Sequence, residues 1–158
     1  MRRLLVAALV LTALLTGCAT AESSTELPDV ELERLSADGT YAVAGPGEAR
    51  ALNLWATWCA PCRAELPAFD AVAGRTDDVA IIGVNVGDTG DDAAELVAEL
   101  GLSFDQVLDP NAAVQRALKI TGMPATIFGD EAGSILRVHN GELTEAELDE
   151  LLDELYRS

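Results

Sequence analysis

The chain has 158 residues, enough for one ordinary domain around a single core and too few for two. Its 27 acidic residues stand against 10 basic ones, a net charge of −17 at pH 7. That balance argues against nucleic acid as a partner, because such binding rests on Lys and Arg neutralising phosphates. A well-solvated surface is the plainer meaning of the excess.

The chain opens on a leader. Arg2 and Arg3 form a positive start and residues 4–15 are apolar apart from Thr12, the order of an export signal and too short to span a bilayer comfortably. Residues 1–17 are therefore set aside from the fold. Leu15-Thr-Gly-Cys18 resembles the lipobox of bacterial lipoproteins, in which the signal is cut before the Cys and that sulfur receives a diacylglyceryl group. The resemblance implies that Cys18 is the first mature residue and a lipid anchor, two acyl chains being sufficient for stable membrane association. An ordinary signal with an incidental Cys is the alternative. Residues 18–27 read as a flexible tether, since 19–26 are small and polar with no hydrophobic period.

Residues 28–158 carry the pattern of a folded domain. Residues 30–35 alternate apolar and polar, Asp38-Gly39 is a turn signal, and residues 40–44 return as a second strand of an N-terminal hairpin. The next strand covers residues 50–55, followed by a helix from Ala60 to about Gly74 in which Pro67 predicts a kink. Residues 79–86 form a near-continuous apolar run, as expected of a strand covered on both faces. Ala93, Leu96, Val97 and Leu100 then share one face of a helix over residues 92–100, with Gly101 as its stop. A short strand at 106–108 and a short helix at 112–118 lead to a strand in residues 123–128, whose antiparallel neighbour is residues 134–139. Thr144 and Glu147 make a capping box for the last helix, and Leu148, Leu151, Leu152 and Leu155 form a stripe read as core. Strands alternating with helices, then a hairpin and a closing helix, predict an α/β sandwich with a mixed sheet.

The chemistry centres on Cys59 and Cys62, which a strand delivers to the start of a helix. Unpaired N–H groups and partial positive charge there stabilise a thiolate, lowering a thiol pKa from about 8.5 into a range of roughly 3.5 to 7.5. Zinc also uses C-x-x-C, but a structural site needs four protein ligands. Beyond Cys18 the chain offers only Cys59, Cys62 and His139, so no metal is expected. A merely structural disulfide is the other alternative, and closing so small a loop removes little chain entropy.

Trp58-Cys-Ala-Pro-Cys62 after a hydrophobic strand, with Gly122-Met-Pro124-Ala-Thr126 about sixty residues later, resembles the thioredoxin superfamily. The longer string from Asn53 to Pro67 is similar to the TlpA/ResA branch of extracytoplasmic thiol-disulfide oxidoreductases, a resemblance spanning about residues 28–157. It implies a thioredoxin-like three-layer sandwich with a mixed central sheet, an N-terminal β-hairpin and a central insertion over residues 87–110. It also implies that Cys59 is the exposed nucleophile, Cys62 the buried resolving thiol, and Pro124 a cis-proline facing them. With that bond cis, the backbone of Met123 is placed to pair with an extended substrate; Met123 as plain core is the alternative. Where ordinary thioredoxin has a buried Asp, this chain has Asn53, which cannot titrate. Glu65, three residues after Cys62, occupies the acidic position of the branch, and an i, i+3 neighbour with a raised pKa can accept the Cys62 proton. A first-turn acid favoured by the helix dipole is the alternative for Glu65. Trp58 is expected to touch partners, Trp55 to be core, Arg63 to be solvated and His139 to be structural.

The resemblance implies a lipid-anchored thiol-disulfide oxidoreductase on the extracytoplasmic face of the bacterial cell membrane, with no cofactor beyond the redox-active Cys59–Cys62 disulfide. Its implied partners are exported disulfide-containing proteins, apocytochrome c among them, and an integral-membrane thiol electron donor. The implied direction is reductive. A disulfide oxidase or isomerase for secreted proteins and a noncatalytic redox-responsive lipoprotein are the competing readings. A peroxidase of the peroxiredoxin type is disfavoured, because Ala56 and Leu52 stand at the offsets where that type has Thr or Ser and Pro.

Overall fold

A computed structural model describes residues 25–157. Eleven elements alternate along them: β1 (Glu31–Arg34), β2 (Thr40–Ala42), β3 (Arg50–Trp55), α1 (Ala60–Ala73), β4 (Ala80–Val86), α2 (Gly90–Leu100), β5 (Gln106–Asp109), α3 (Ala113–Ala117), β6 (Ala125–Gly129), β7 (Ile135–Asn140) and α4 (Glu145–Tyr156). The strands make one sheet in the order β2-β1-β5-β4-β3-β6-β7. The centre is parallel, β3 beside β4 and β4 beside β5, while β6 and β7 on one side and β1 and β2 on the other are antiparallel. This is the thioredoxin-like α/β sandwich with a mixed sheet.

The layers follow from burial. One apolar cluster joins Leu66 and Phe69 of α1, Leu96 of α2 and Leu148 and Leu152 of α4 to Ala51, Trp55, Ile81 and Phe128 of the sheet. The opposite face buries Leu52, Leu54, Ile82 and Val84 with Val114 of α3 and with Leu27 and Val43 beside the hairpin. Helices on both faces explain why every residue of β3 is buried, whereas β7 at the edge alternates half-buried and exposed positions. The leucine stripe of α4 is core: Leu148 and Leu152 are fully buried, with Leu151 and Leu155 packed at the margin.

Several boundaries move when tertiary contacts are counted. Residues 25–27 belong to the domain rather than to a tether. The Ile135 N–H donates to the Thr25 carbonyl and the Leu27 N–H to that of Gly133, both at 2.8 Å, and the Leu27 side chain is buried. Helix α2 starts at Gly90, two residues early, because Thr89 caps it by accepting from the Asp92 N–H. Helix α1 continues through Pro67 to Ala73. Arg50, expected only as a strand residue, is buried, and its guanidinium donates to the carbonyls of Ala42, Val43, Gly45 and Glu48, pinning the connection from the hairpin.

Candidate active site

Strand β3 ends at Trp55, and a turn closed by the Cys59 N–H donating to the Ala56 carbonyl carries the chain into α1. Cys59 is the N-cap of that helix, with extended backbone angles, and its Sγ accepts from the Cys62 N–H at 3.3 Å. The two cysteines form a disulfide with Cα atoms 5.3 Å apart. Cys59 is 5% exposed and Cys62 fully buried. Cys59, expected to be exposed, is thus buried in the disulfide form together with Cys62. The neighbouring Trp58 stands out of the protein at 71% exposure.

Helix α1 also carries one member of a buried polar network. Glu65, one helical turn after Cys62, is 2% exposed and receives the Asn53 amide at 2.7 Å on one oxygen and the Leu143 N–H at 2.8 Å on the other. Burial pushes its carboxyl up from 4.5 to about 7; the two hydrogen bonds oppose that rise, and the charge of Glu142 adds to it. Asn53 also reaches the Thr126 hydroxyl at 3.4 Å, its register partner on β6. Spacing along the chain puts Glu65 near the cysteines but does not predict its bond to Asn53, and the Leu143 backbone carries no sequence signal at all.

The Met123–Pro124 peptide bond is cis, and Pro124 is buried at the start of β6. Met123 is half-buried and packs against the cluster that holds both cysteines and Trp55. A groove beside it is lined by Leu118, Ile120, Pro124, Ile135 and Val138. Trp55 is core, as expected, with its indole N–H donating to Gln106 at 2.9 Å. Arg63 pairs with Glu99 at 3.3 Å on the surface, and His139 sits half-buried on edge strand β7. Cys18 lies outside the described residues.

One residue at this site escaped sequence reasoning. Asp88, just past β4, accepts from the Thr57 N–H at 2.7 Å and from the Thr57 hydroxyl at 2.9 Å. Its signal is topological: β3 and β4 pair in parallel up to Trp55 and Asn85, so the residues after each strand emerge side by side.

A model of the AhpC/TSA family matches residues 24–138. The thiol:disulfide interchange protein HelX of Rhodobacter capsulatus is 36% identical over 139 residues, covering 86% of this chain and 78% of that protein. The thiol-disulfide oxidoreductase ResA of Halalkalibacterium halodurans is 32% identical over 126 residues, 78% of this chain and 66% of its own length. Among solved structures, MTB DsbF in its mixed oxidised and reduced forms superposes with a TM-score of 0.74 at 25% identity, covering 85% of this chain and 99% of that one.

Proposed function

The chain belongs to the AhpC/TSA family and is a thiol-disulfide oxidoreductase of the kind represented by ResA and HelX, and from that premise we propose that it reduces disulfides of exported proteins at the outer face of the cytoplasmic membrane. The observation that carries the reading is the placement of Cys59. Its sulfur sits at the N-cap of α1, where the Cys62 N–H already points at it and a thiolate would gain the same bond together with the helix-terminal charge.

The reaction starts from the dithiol. The Cys59 thiolate attacks one sulfur of the client disulfide, the client's second sulfur leaves as a thiolate and takes a proton from water, and a mixed disulfide remains. Cys62 gives its proton to the Glu65 carboxylate and attacks the Cys59 sulfur. That step releases the client's first sulfur and closes the Cys59–Cys62 disulfide, so two electrons pass to the client. A thiol donor in the membrane returns the pair to the dithiol. Exposed Trp58 and the backbone of Met123 beside Pro124 supply the surface on which an extended client segment lies. Clients of this chemistry include the haem-attachment C-x-x-C-H segments of apocytochrome c.

Cys62→Ser should accumulate client mixed disulfides on Cys59, visible as adducts on non-reducing gels and absent from the Cys59→Ser, Cys62→Ser double variant. No adduct that depends on Cys59 would remove these roles. The direction of electron flow is tested by the Cys59–Cys62 reduction potential. The reductive reading expects a value well below about −120 mV, and one near or above that mark, typical of a strong oxidant, would transfer the protein to disulfide formation.

A further inference from the structure

The segment between β4 and β5 touches the redox unit at three places. Asp88 bonds to Thr57 in the loop before the disulfide, Glu99 of α2 pairs with Arg63, and Asp70 of α1 accepts from the backbone N–H groups of Ser103 and Phe104 at 2.6 and 3.1 Å. Only the first reaches the turn that ends on Cys59.

We propose that Asp88 is a positioning residue for Cys59: by gripping Thr57 through both backbone and hydroxyl, it fixes the turn that sets the Cys59 sulfur at the N-terminus of α1. The inference rests on Cys59 being the attacking sulfur. Three observations carry it. The carboxylate is committed to this contact, taking the two Thr57 donors and the Asn85 amide at 2.7 Å, while the cap of α2 is provided by Thr89 instead. Gly87, with φ of 80°, lets the chain turn sharply out of β4 so that the next residue lies beside the loop following β3. Finally, the turn from Ala56 to Cys59 has one backbone bond of its own, so an outside acceptor on Thr57 determines how firmly it is held. A thiolate gains from a helix N-terminus only when it lies in line with the N–H groups there, and a small displacement of an attacking group is costly in rate.

Position and charge have opposite signatures, which makes the idea testable. If Asp88 mattered through its charge, removing it would favour the Cys59 thiolate and lower the Cys59 pKa. If it holds the turn, losing the grip raises that pKa and slows attack. The experiment uses the reduced protein carrying Cys18→Ser and Cys62→Ser, so that of the three cysteines Cys59 alone reports. Cys59 is titrated by thiolate absorbance at 240 nm, and its rate of attack is measured with 5,5′-dithiobis(2-nitrobenzoate). Asp88→Ala should slow attack at pH 7 by about three- to tenfold with the titration displaced upward. Asp88→Asn, whose amide oxygen still accepts from the Thr57 N–H, should recover to within about twofold. Glu99→Gln should change neither quantity.

Unaltered titration and rate in Asp88→Ala would overturn the proposal, as would a downward shift in both Asp88 variants. Thr57→Val keeps the N–H while deleting the hydroxyl, and should show a smaller loss of the same sign even if Asp88→Ala does not fold. A Cys59 thiol that is unreactive before Asp88 is changed refutes the assignment of Cys59 instead, so the two failures are distinct.

Discussion

Burial keeps the Glu65 carboxyl protonated up to about pH 7, and on the proposed reading, in which Glu65 takes the Cys62 proton, that proton sets when Cys62 is activated. Exchange should accelerate as pH rises through about 7, where Glu65 becomes a base. Glu65→Gln should lose that limb of the profile and slow the resolving step roughly tenfold or more, as measured by stopped-flow release of a mixed disulfide. An identical profile in the variant would remove Glu65 from the reaction. The same residue carries a stability signature. Between 4.5 and about 7 the folded protein binds a proton that the unfolded chain has lost, so the wild type should lose stability relative to Glu65→Gln as pH rises across that window. At this scale the i, i+3 relation of Cys62 to Glu65 is legible from spacing, because helix geometry alone brings those side chains together. The donors from Asn53 and Leu143 were not legible, since they come from β3 and from the turn before α4, 12 and 78 residues away in the chain.

Trp55 shows how elements impose requirements that no single residue reveals. Its indole N–H donates to Gln106 on β5, and the Gln106 side chain lies flat over Gly83 of β4, where a Cβ would stand 2.0 Å from its Oε1. Gln106 is buried, so it can yield only by releasing the indole N–H. Gly83→Ala should therefore cost about 1–3 kcal/mol in urea unfolding, and a change below about 0.5 kcal/mol would show that the side chain repacks freely. The types of the elements were readable because hydrophobic period and turn residues act locally. The start of α2 was not, because the side chain of Thr89 rather than the apolar pattern decides it. The run of α1 across Pro67 was readable from the sequence, and burial explains why it holds: the ring removes one ladder bond, but Leu66 and Phe69 on either side are fully buried and hold both halves against the sheet.

At the scale of the whole molecule, the described chain first meets the sheet where residues 25–27 lie against Gly133 and Ile135. That is the pole opposite the disulfide, because β6 begins beside Leu54 and ends beside Arg50. A lipid on Cys18 would thus hold the domain through residues 18–24, and no described helix is long and apolar enough to cross a membrane. Labelled palmitate should enter the wild-type protein and be absent from Cys18→Ser, which should leave the membrane fraction; label persisting in the variant would exclude this anchor. The sequence by itself determined the reactive dithiol, the order of strands and helices and the expectation of a sandwich. Each of these rests on neighbours along the chain: a C-x-x-C at a helix start, apolar periods and caps. Tertiary structure alone decided which groups of distant strands reach Glu65 and the loop before the dithiol. Pairing β3 with β4 and β6 set Asp88 beside Thr57 and Thr126 beside Asn53, contacts between residues far apart in the chain whose partners exist only once the strands are in register.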